Sequence, residues 1–260
     1  MTSADRDVDA LLDLAIRGAH AAGAELLARY GRIQGLDTKT SATDPVSDAD
    51  RAAEALLVEL ITSERPDDGL LGEEGAARVS RSGVRWVIDP LDGTVNYLYQ
   101  LDNFSVSIAA EDSAGALVGV VHNPTTGRTY SAVRGHGAFA DGHRLRVNDP
   151  VPIERALLAT GFGYSPERRA VQGVLIAALL PQVRDIRRIG SAALDLCAVA
   201  AGTVDGYLEE GVKAWDVAAG QLIAEEAGAF VTVVTPTGDA TGCLAAGPAL
   251  HAVLAQILGG

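Results

Sequence analysis

Cysteine is nearly absent: Cys197 and Cys243 are the only two in 260 residues. They are too few and too far apart for a disulfide framework or a thiolate metal cluster. The Cys-to-Arg spacing of the cysteine phosphatases is missing too, because Thr203 stands where the arginine would be. Cys197 falls at a helical core position within SAALDLCAVAAG and reads as a small buried apolar residue. Basic residues are scarce beside acidic ones, 21 against 34, for a net charge of −13. Such a chain lacks the basic face that a phosphate backbone demands, so no nucleic-acid partner is expected. No apolar run approaches the roughly eighteen residues of a membrane span. The opening MTSADRDVDALLDLAI has no basic region ahead of an unbroken apolar stretch, as a secretory signal requires. A cytoplasmic protein is the resulting expectation. Glycine is plentiful (29 residues) but scattered, which excludes a collagen-like or linker character.

What is present has the patterning of a layered α/β protein. Residues 6–30 carry apolar side chains at helical spacing and stop at Gly31. Ser47 can cap a second helix, SDADRAAEALLVELITSE, with Asp50 at its third position. From 69 to 139 the runs are short and β-rich (RWVID, FSVSIAAE, ALVGVVHN, RTYSAV), which predicts a mostly antiparallel sheet. After Pro150 and Pro152, strand and helix alternate: LLATG, SPERRAVQGVLIAALLPQV, VRDIRRI, SAALDLCAVAAG, TVDGYLEE, WDVAAGQLIAEEAG, AFVTVV. That alternation predicts a second sheet covered by helices. No stretch is long and polar enough for a linker. The expectation is one compact unit in two halves, 1–150 and 151–260, that share an interface.

The stretch VIDPLDGT, residues 87–94, raises the chemical question. A strand delivers Asp89 to its carboxyl end, Pro90 turns the chain, and Asp92 points back into the same space. Gly93-Thr94 read as the start of a short helix, whose free N–H groups suit an anion. Two carboxylates beside an anion seat repel a phosphate unless cations stand between, and hard oxygen ligands suit Mg²⁺. A calcium loop of the EF-hand kind fails, because Leu91 and Gln100 occupy places that need oxygen ligands. An aspartyl-phosphate enzyme would separate its two aspartates by one residue. A capped turn is the bland alternative for this stretch.

Further acids lie elsewhere. Glu73 and Glu74 follow a short apolar strand, where a solvated turn is the simple reading. KTSATDPVSDAD contributes Lys39, Asp44 and Asp50. Asp216 opens an alanine-rich helix after Trp215, where an acid is commonly a cap.

Together these segments resemble the inositol monophosphatase family of magnesium-dependent, lithium-sensitive phosphatases. The matching blocks run through nearly the whole chain: K-x4-D-x-V-[ST]-x-A-D at 39–50, GEE at 72–74, WVIDPLDGTVNY at 86–97, GSAALDLCAVAAG at 190–202 and WDVAAG at 215–220. The resemblance implies a layered α-β-α-β-α sandwich of the sugar-phosphatase type and two to three Mg²⁺ ions. Glu73, Asp89 and the Leu91 carbonyl match the ligands of the first ion. Asp89, Asp92 and Asp216 match those of the second, with Asp89 bridging, and Glu73 helps with a third. Thr94, oriented by Asp50, matches the group that positions the attacking water, with Glu73 as the other candidate activator. The Gly93 and Thr94 amides match phosphate donors. Gly190, Ser191 and Ala192 match the helix start that approaches the alcohol of the substrate, beside Asp92 and Asp216. Glu209 matches an acceptor of its hydroxyl groups, against the simpler reading of an exposed strand-end acid. Lys39 matches a basic residue near the entrance. Ser47 replaces a commoner Thr and Tyr97 a commoner Phe.

The implied activity is hydrolysis of a phosphate monoester, myo-inositol 1-phosphate first, by in-line attack of metal-activated water. Histidinol phosphate, fructose 1,6-bisphosphate and adenosine 3′,5′-bisphosphate remain open as substrates. So does a non-catalytic interaction protein on the same fold. A homodimer is the family's usual assembly. The five histidines (His20, His122, His136, His143, His251) lie outside every block and read as surface or packing residues.

Overall fold

The computed structural model describes residues 8–32, 37–38, 45–237 and 241–258. Lys39 and Asp44 lie outside them. Helix α1 (Val8–Arg29) buries Leu11, Leu14, Ala15, Ala19, Ala22 and Leu26, one stripe at three- and four-residue spacing. A short antiparallel pair, β1 (Asp37–Thr38) and β2 (Pro45–Val46), leads into α2 (Asp48–Glu64). The expected cap of α2 is present: Ser47 Oγ accepts the Ala49 N–H at 3.2 Å, and Asp50 Oδ2 accepts the Ser47 N–H at 2.9 Å.

Next come β3 (Gly69–Gly72), β4 (Ala77–Arg78), β5 (Arg85–Asp92) and the one-turn helix α3 (Thr94–Leu98). They are followed by β6 (Ser105–Asp112), β7 (Gly115–Asn123), β8 (Arg128–Val133), β9 (Gly137–Ala140) and β10 (His143–Arg144). These strands form an eight-stranded sheet in the order β10-β9-β8-β7-β6-β5-β3-β4. Only the β3–β5 pair is parallel.

The remaining elements are β11 (Leu157–Thr160), α4 (Pro166–Leu179), β12 (Asp185–Arg187), α5 (Ala192–Ala200) and β13 (Gly206–Glu210). Then follow α6 (Ala214–Glu226), β14 (Phe230–Val234), β15 (Gly242–Ala246) and α7 (Pro248–Ile257). The second sheet has five strands in the order β12-β11-β13-β15-β14. β11 is parallel to both β12 and β13, whereas β15 runs antiparallel to β13 and β14.

Strand alternation assigns each sheet two dry faces. Trp86 and Ile88 of β5, with Ile108 of β6 and Val118 and Val120 of β7, pack under α1 and α2. Val87, Ala109 and Val121 point the other way, onto α5 and α6. Those two helices also cover Tyr207, Cys243 and Ala245 of the second sheet, while Leu158, Leu208, Leu244 and Ala246 turn outward to α4 and α7. The order is therefore helices, sheet, helices, sheet, helices: the α-β-α-β-α sandwich. Each fully buried Leu or Ile in these layers contributes roughly 1.5–3 kcal/mol. Cys197 sits in the central layer, wholly buried, as its sequence position indicates.

Candidate active site

The site grows from one irregularity. The register of β5 against β6 shifts between Asp89 and Asp92, where Pro90 interrupts the ladder. Asp89 is buried, and its Oδ1 accepts the Leu91 N–H at 3.0 Å, which closes the turn on itself. Gly93 follows with φ of +94°, and a Cβ there would lie 3.0 Å from the Asn103 carbonyl and 3.1 Å from that of Gly190. Only glycine suits both the dihedral and the space. Thr94 then opens α3, and its hydroxyl donates to Asp50 Oδ1 (3.3 Å) and the Leu91 carbonyl (3.2 Å). Asp50 is itself immobilised, because Ser47 donates to Oδ2 through both its N–H (2.9 Å) and its hydroxyl (2.6 Å). The helix cap of α2 thus doubles as the holder of Thr94.

Three other segments converge on this turn. Glu73 leaves β3 with its N–H on the Ile88 carbonyl (3.3 Å), and its carboxyl group hydrogen-bonds that of Asp89. Buried Glu54 of α2 fixes the turn beyond it, accepting the Glu74 N–H at 2.8 Å and the Ala76 N–H at 2.9 Å. From the other sheet, the start of α5 arrives at Asp92. Asp92 Oδ2 accepts the Ser191 hydroxyl (2.5 Å) and the Ala193 N–H (2.8 Å), and Oδ1 the Ala192 N–H (3.3 Å). Asn96 ties the same junction, donating to the Ile189 (2.8 Å) and Asn103 (2.6 Å) carbonyls. Asp216, in the first turn of α6, accepts the Lys213 N–H at 2.6 Å. It is a helix cap, and it also faces the acids of the first sheet.

A cavity of about 770 Å³ opens over this junction, with Glu73, Asp89, Asp92, Thr94, Glu209 and Asp216 in its wall. The electrostatics are those of crowded, dry carboxylates. Burial pushes Asp89 well above the usual range, and Glu73, Asp92 and Asp216 push it further. Asp92 is pushed up to about 6, chiefly by burial, although its three donors pull the other way. Asp216 is raised by burial and then by Asp92. The acids surround one space without closing into a cage: among the described residues no three His, Cys, Asp or Glu side chains form a ready metal cluster.

Known proteins match this chain along nearly its whole length. The model of the inositol monophosphatase family matches residues 7–259. The chain belongs to that family. The inositol-1-monophosphatase of Mycobacterium leprae is 41% identical over 280 aligned residues, covering 99% of this chain and 96% of the relative. The Nus factor SuhB of Pasteurella multocida is 45% identical over 224 residues, covering 85% of this chain and 84% of the relative. The crystal structure of the extragenic suppressor protein suhB from Bartonella henselae superposes with a TM-score of 0.88 at 35% identity, covering 96% and 98% of the two chains.

The inositol monophosphatase family is generally metal-dependent. The donor set here has the matching chemistry: only hard oxygens, from carboxylates that repel one another and gain from a cation. The site residues named from the sequence lie at or beside this junction, except Lys39 and Asp44, which fall outside the described residues. The amides of Ala192 and Ala193 are turned to Asp92 in this structure.

Several wall residues have no counterpart in the sequence reading. Phe162, Tyr164, Ser165 and Arg168 enter from the loop after β11 and the start of α4. The glycine-flanked run GFGYS, at a strand-to-helix junction, was the available signal. Glu210, beside the anticipated Glu209, is occupied by Thr237 (N–H at 2.9 Å, hydroxyl at 2.8 Å) and Arg168 (3.5 Å). Arg187 and Arg188, which the sequence leaves open between attracting anions and a strand-edge salt bridge, divide between the two: Arg188 lines the cavity, whereas Arg187 forms an exposed ion pair with Asp185 at 2.6 Å. Of the histidines, His122 and His251 are buried, and burial together with His20 holds the His122 imidazole down to about 4, neutral at physiological pH.

Proposed function

We propose that the chain is a Mg²⁺-dependent phosphatase of small polyol or sugar monophosphates, with myo-inositol 1-phosphate as its first substrate. The observation that carries this reading is the convergence of Glu73, Asp89 and Asp92, from strand ends of the first sheet, with Asp216 of α6, beside the Gly93–Thr94 helix start. When bound, Mg²⁺ would neutralise the phosphate, lower the pKa of water and stabilise the leaving alkoxide. Glu73, Asp89, Asp92, Asp216 and the Leu91 carbonyl are the groups to hold it.

The chain's own residues do the rest. Gly93 and Thr94 offer amide donors to phosphate oxygens. Thr94 Oγ1 gives its single proton toward Asp50 and Leu91, so its lone pairs are free to accept from an attacking water. Water then adds to phosphorus as the bond to the alcohol oxygen breaks, and the alcohol leaves with a proton. Glu209 faces the alcohol half as an acceptor for its hydroxyl groups. Burial raises Glu209 to about 7, and Tyr207 and Arg188 restrain that rise.

Thr94→Ala should lower kcat roughly 10²- to 10³-fold with little change in KM, and Thr94→Ser should restore most of the loss. Steady-state kinetics on both variants checks the assignment. The reading as a whole is tested by phosphate release from inositol 1-phosphate, histidinol phosphate, fructose 1,6-bisphosphate and adenosine 3′,5′-bisphosphate with saturating Mg²⁺. Inositol 1-phosphate should give the highest kcat/KM. A folded protein that releases nothing from any ester would favour an interaction role instead. Lithium inhibition, a homodimer and residence in the cytoplasm belong to the same proposal through family membership. Among the described residues no helix is long and apolar enough to cross a membrane. We also propose that 1–150 and 151–260 act as two halves of one unit, with the site where they meet.

A further inference from the structure

Glu209 sits on β13 two residues after Tyr207, so strand alternation puts both side chains on one face. That face looks toward α5 and the cavity. Tyr207 is fully buried, and its hydroxyl donates to Glu209 Oε2 at 3.0 Å. The carboxylate fills the space where Gly161 has no side chain: a Cβ there would lie 2.0 Å from Oε2 and 2.2 Å from Oε1. Glu209 lines the cavity, and Oε2 is the oxygen that Tyr207 holds. The phenol is wholly surrounded by the central layer and has no freedom to follow a wandering carboxylate.

We infer that Tyr207 and Gly161 form a seat that fixes Glu209 with Oε1 toward the cavity, and so set selectivity for a hydroxyl-bearing alcohol in the substrate. Tyr207 is a positioning residue: it acts through Glu209 and touches no reacting atom. The inference rests on the reading of Glu209 as hydroxyl acceptor given above. Other charged or titratable groups that influence Glu209 are Arg188 before α5, Asp92 at the end of β5, Asp195 on α5, Asp216 on α6 and Cys243 on β15. Among them Tyr207 is the group that hydrogen-bonds the carboxylate. A carboxylate without that donor would be free to turn, and its charged form would be less favoured.

The test compares kcat/KM for myo-inositol 1-phosphate with that for p-nitrophenyl phosphate, which carries no ring hydroxyls. Tyr207→Phe keeps the ring and deletes the hydroxyl. Its ratio of inositol 1-phosphate to p-nitrophenyl phosphate should fall roughly tenfold, mostly through KM. The acid limb of the KM profile for inositol 1-phosphate should also move to higher pH, which a loss of packing alone would not produce. Gly161→Ala should give the same selective loss by unseating the carboxylate, and it serves if Tyr207→Phe does not fold. Glu209→Gln separates the two levels. If Glu209→Gln leaves the ratio unchanged, the role of Glu209 fails and the inference with it. If Glu209→Gln lowers the ratio but neither Tyr207→Phe nor Gly161→Ala does, the inference alone is overturned.

Discussion

Replacing Asp89 with Asn should reduce phosphate release by roughly 10³-fold or more while leaving the protein folded. The amide keeps the shape of the side chain and one carbonyl oxygen, so the 3.0 Å bond from the Leu91 N–H survives. What disappears is a charge at the centre of the acidic group, where Glu73, Asp92 and Asp216 all act on it. Without Mg²⁺, removing a buried like charge should hold or raise the melting temperature. With Mg²⁺, the parent should gain stability by mass action and the variant should gain much less. Thermal melts with and without the ion, beside phosphate-release rates, check both halves. Equal Mg²⁺-dependent gains in both proteins would remove Asp89 from the ligand set.

Asp195→Asn should have the opposite character, a large pH-dependent effect on stability. Asp195 lies on α5 with 1% of its surface exposed, and both carboxyl oxygens are buried without a hydrogen-bond partner among the described residues. Burial pushes it from 3.8 up to about 9, and the charges of Glu209 and Asp92 add to the rise. Below pH ~4 the acid is protonated whether folded or not, and it adds no pH dependence. Between ~4 and ~9 the unfolded chain ionises and the folded one does not, so stability falls by about 1.4 kcal/mol per pH unit. Asparagine removes that linkage and leaves a pH-independent cost for its own buried amide. The melting temperature of the variant relative to the parent should therefore climb by roughly 8–16 °C from pH 5 to pH 8. A difference that stays flat across that range would mean Asp195 is paired or hydrated.

The layer order was legible because its determinants are local. Alternating residues such as Trp86, Val87 and Ile88 announce a strand with two dry faces, and the stripe of α1 announces a helix on one of them. β15 and α7 were not read from the sequence. GCLAA has no β-branched or aromatic residue, and only its position between β13 and β14 makes it a strand. Within the site, the VIDPLDGT turn was readable because Pro90 and Gly93 each have a local steric meaning. Glu54, Tyr207 and Arg168 were not, since each acts through a partner distant in sequence or across a loop. Glu54 holds a turn twenty residues away, and nothing near it in the chain signals that task. Asp195 illustrates the same limit: inside an apolar helix an acid looks like a solvated face until the packing on all sides is known.

The most direct test of the central claim is a calorimetric titration of chelator-treated protein with Mg²⁺, with Asp216→Asn run beside it. Asp216 comes from α6 in the helix layer between the sheets, and its participation requires that layer and the strand ends of the first sheet to build one cation site. Saturable binding by the parent that weakens at least tenfold in the variant is the expected result. Identical isotherms for the two proteins, or no binding by the parent, would contradict the account.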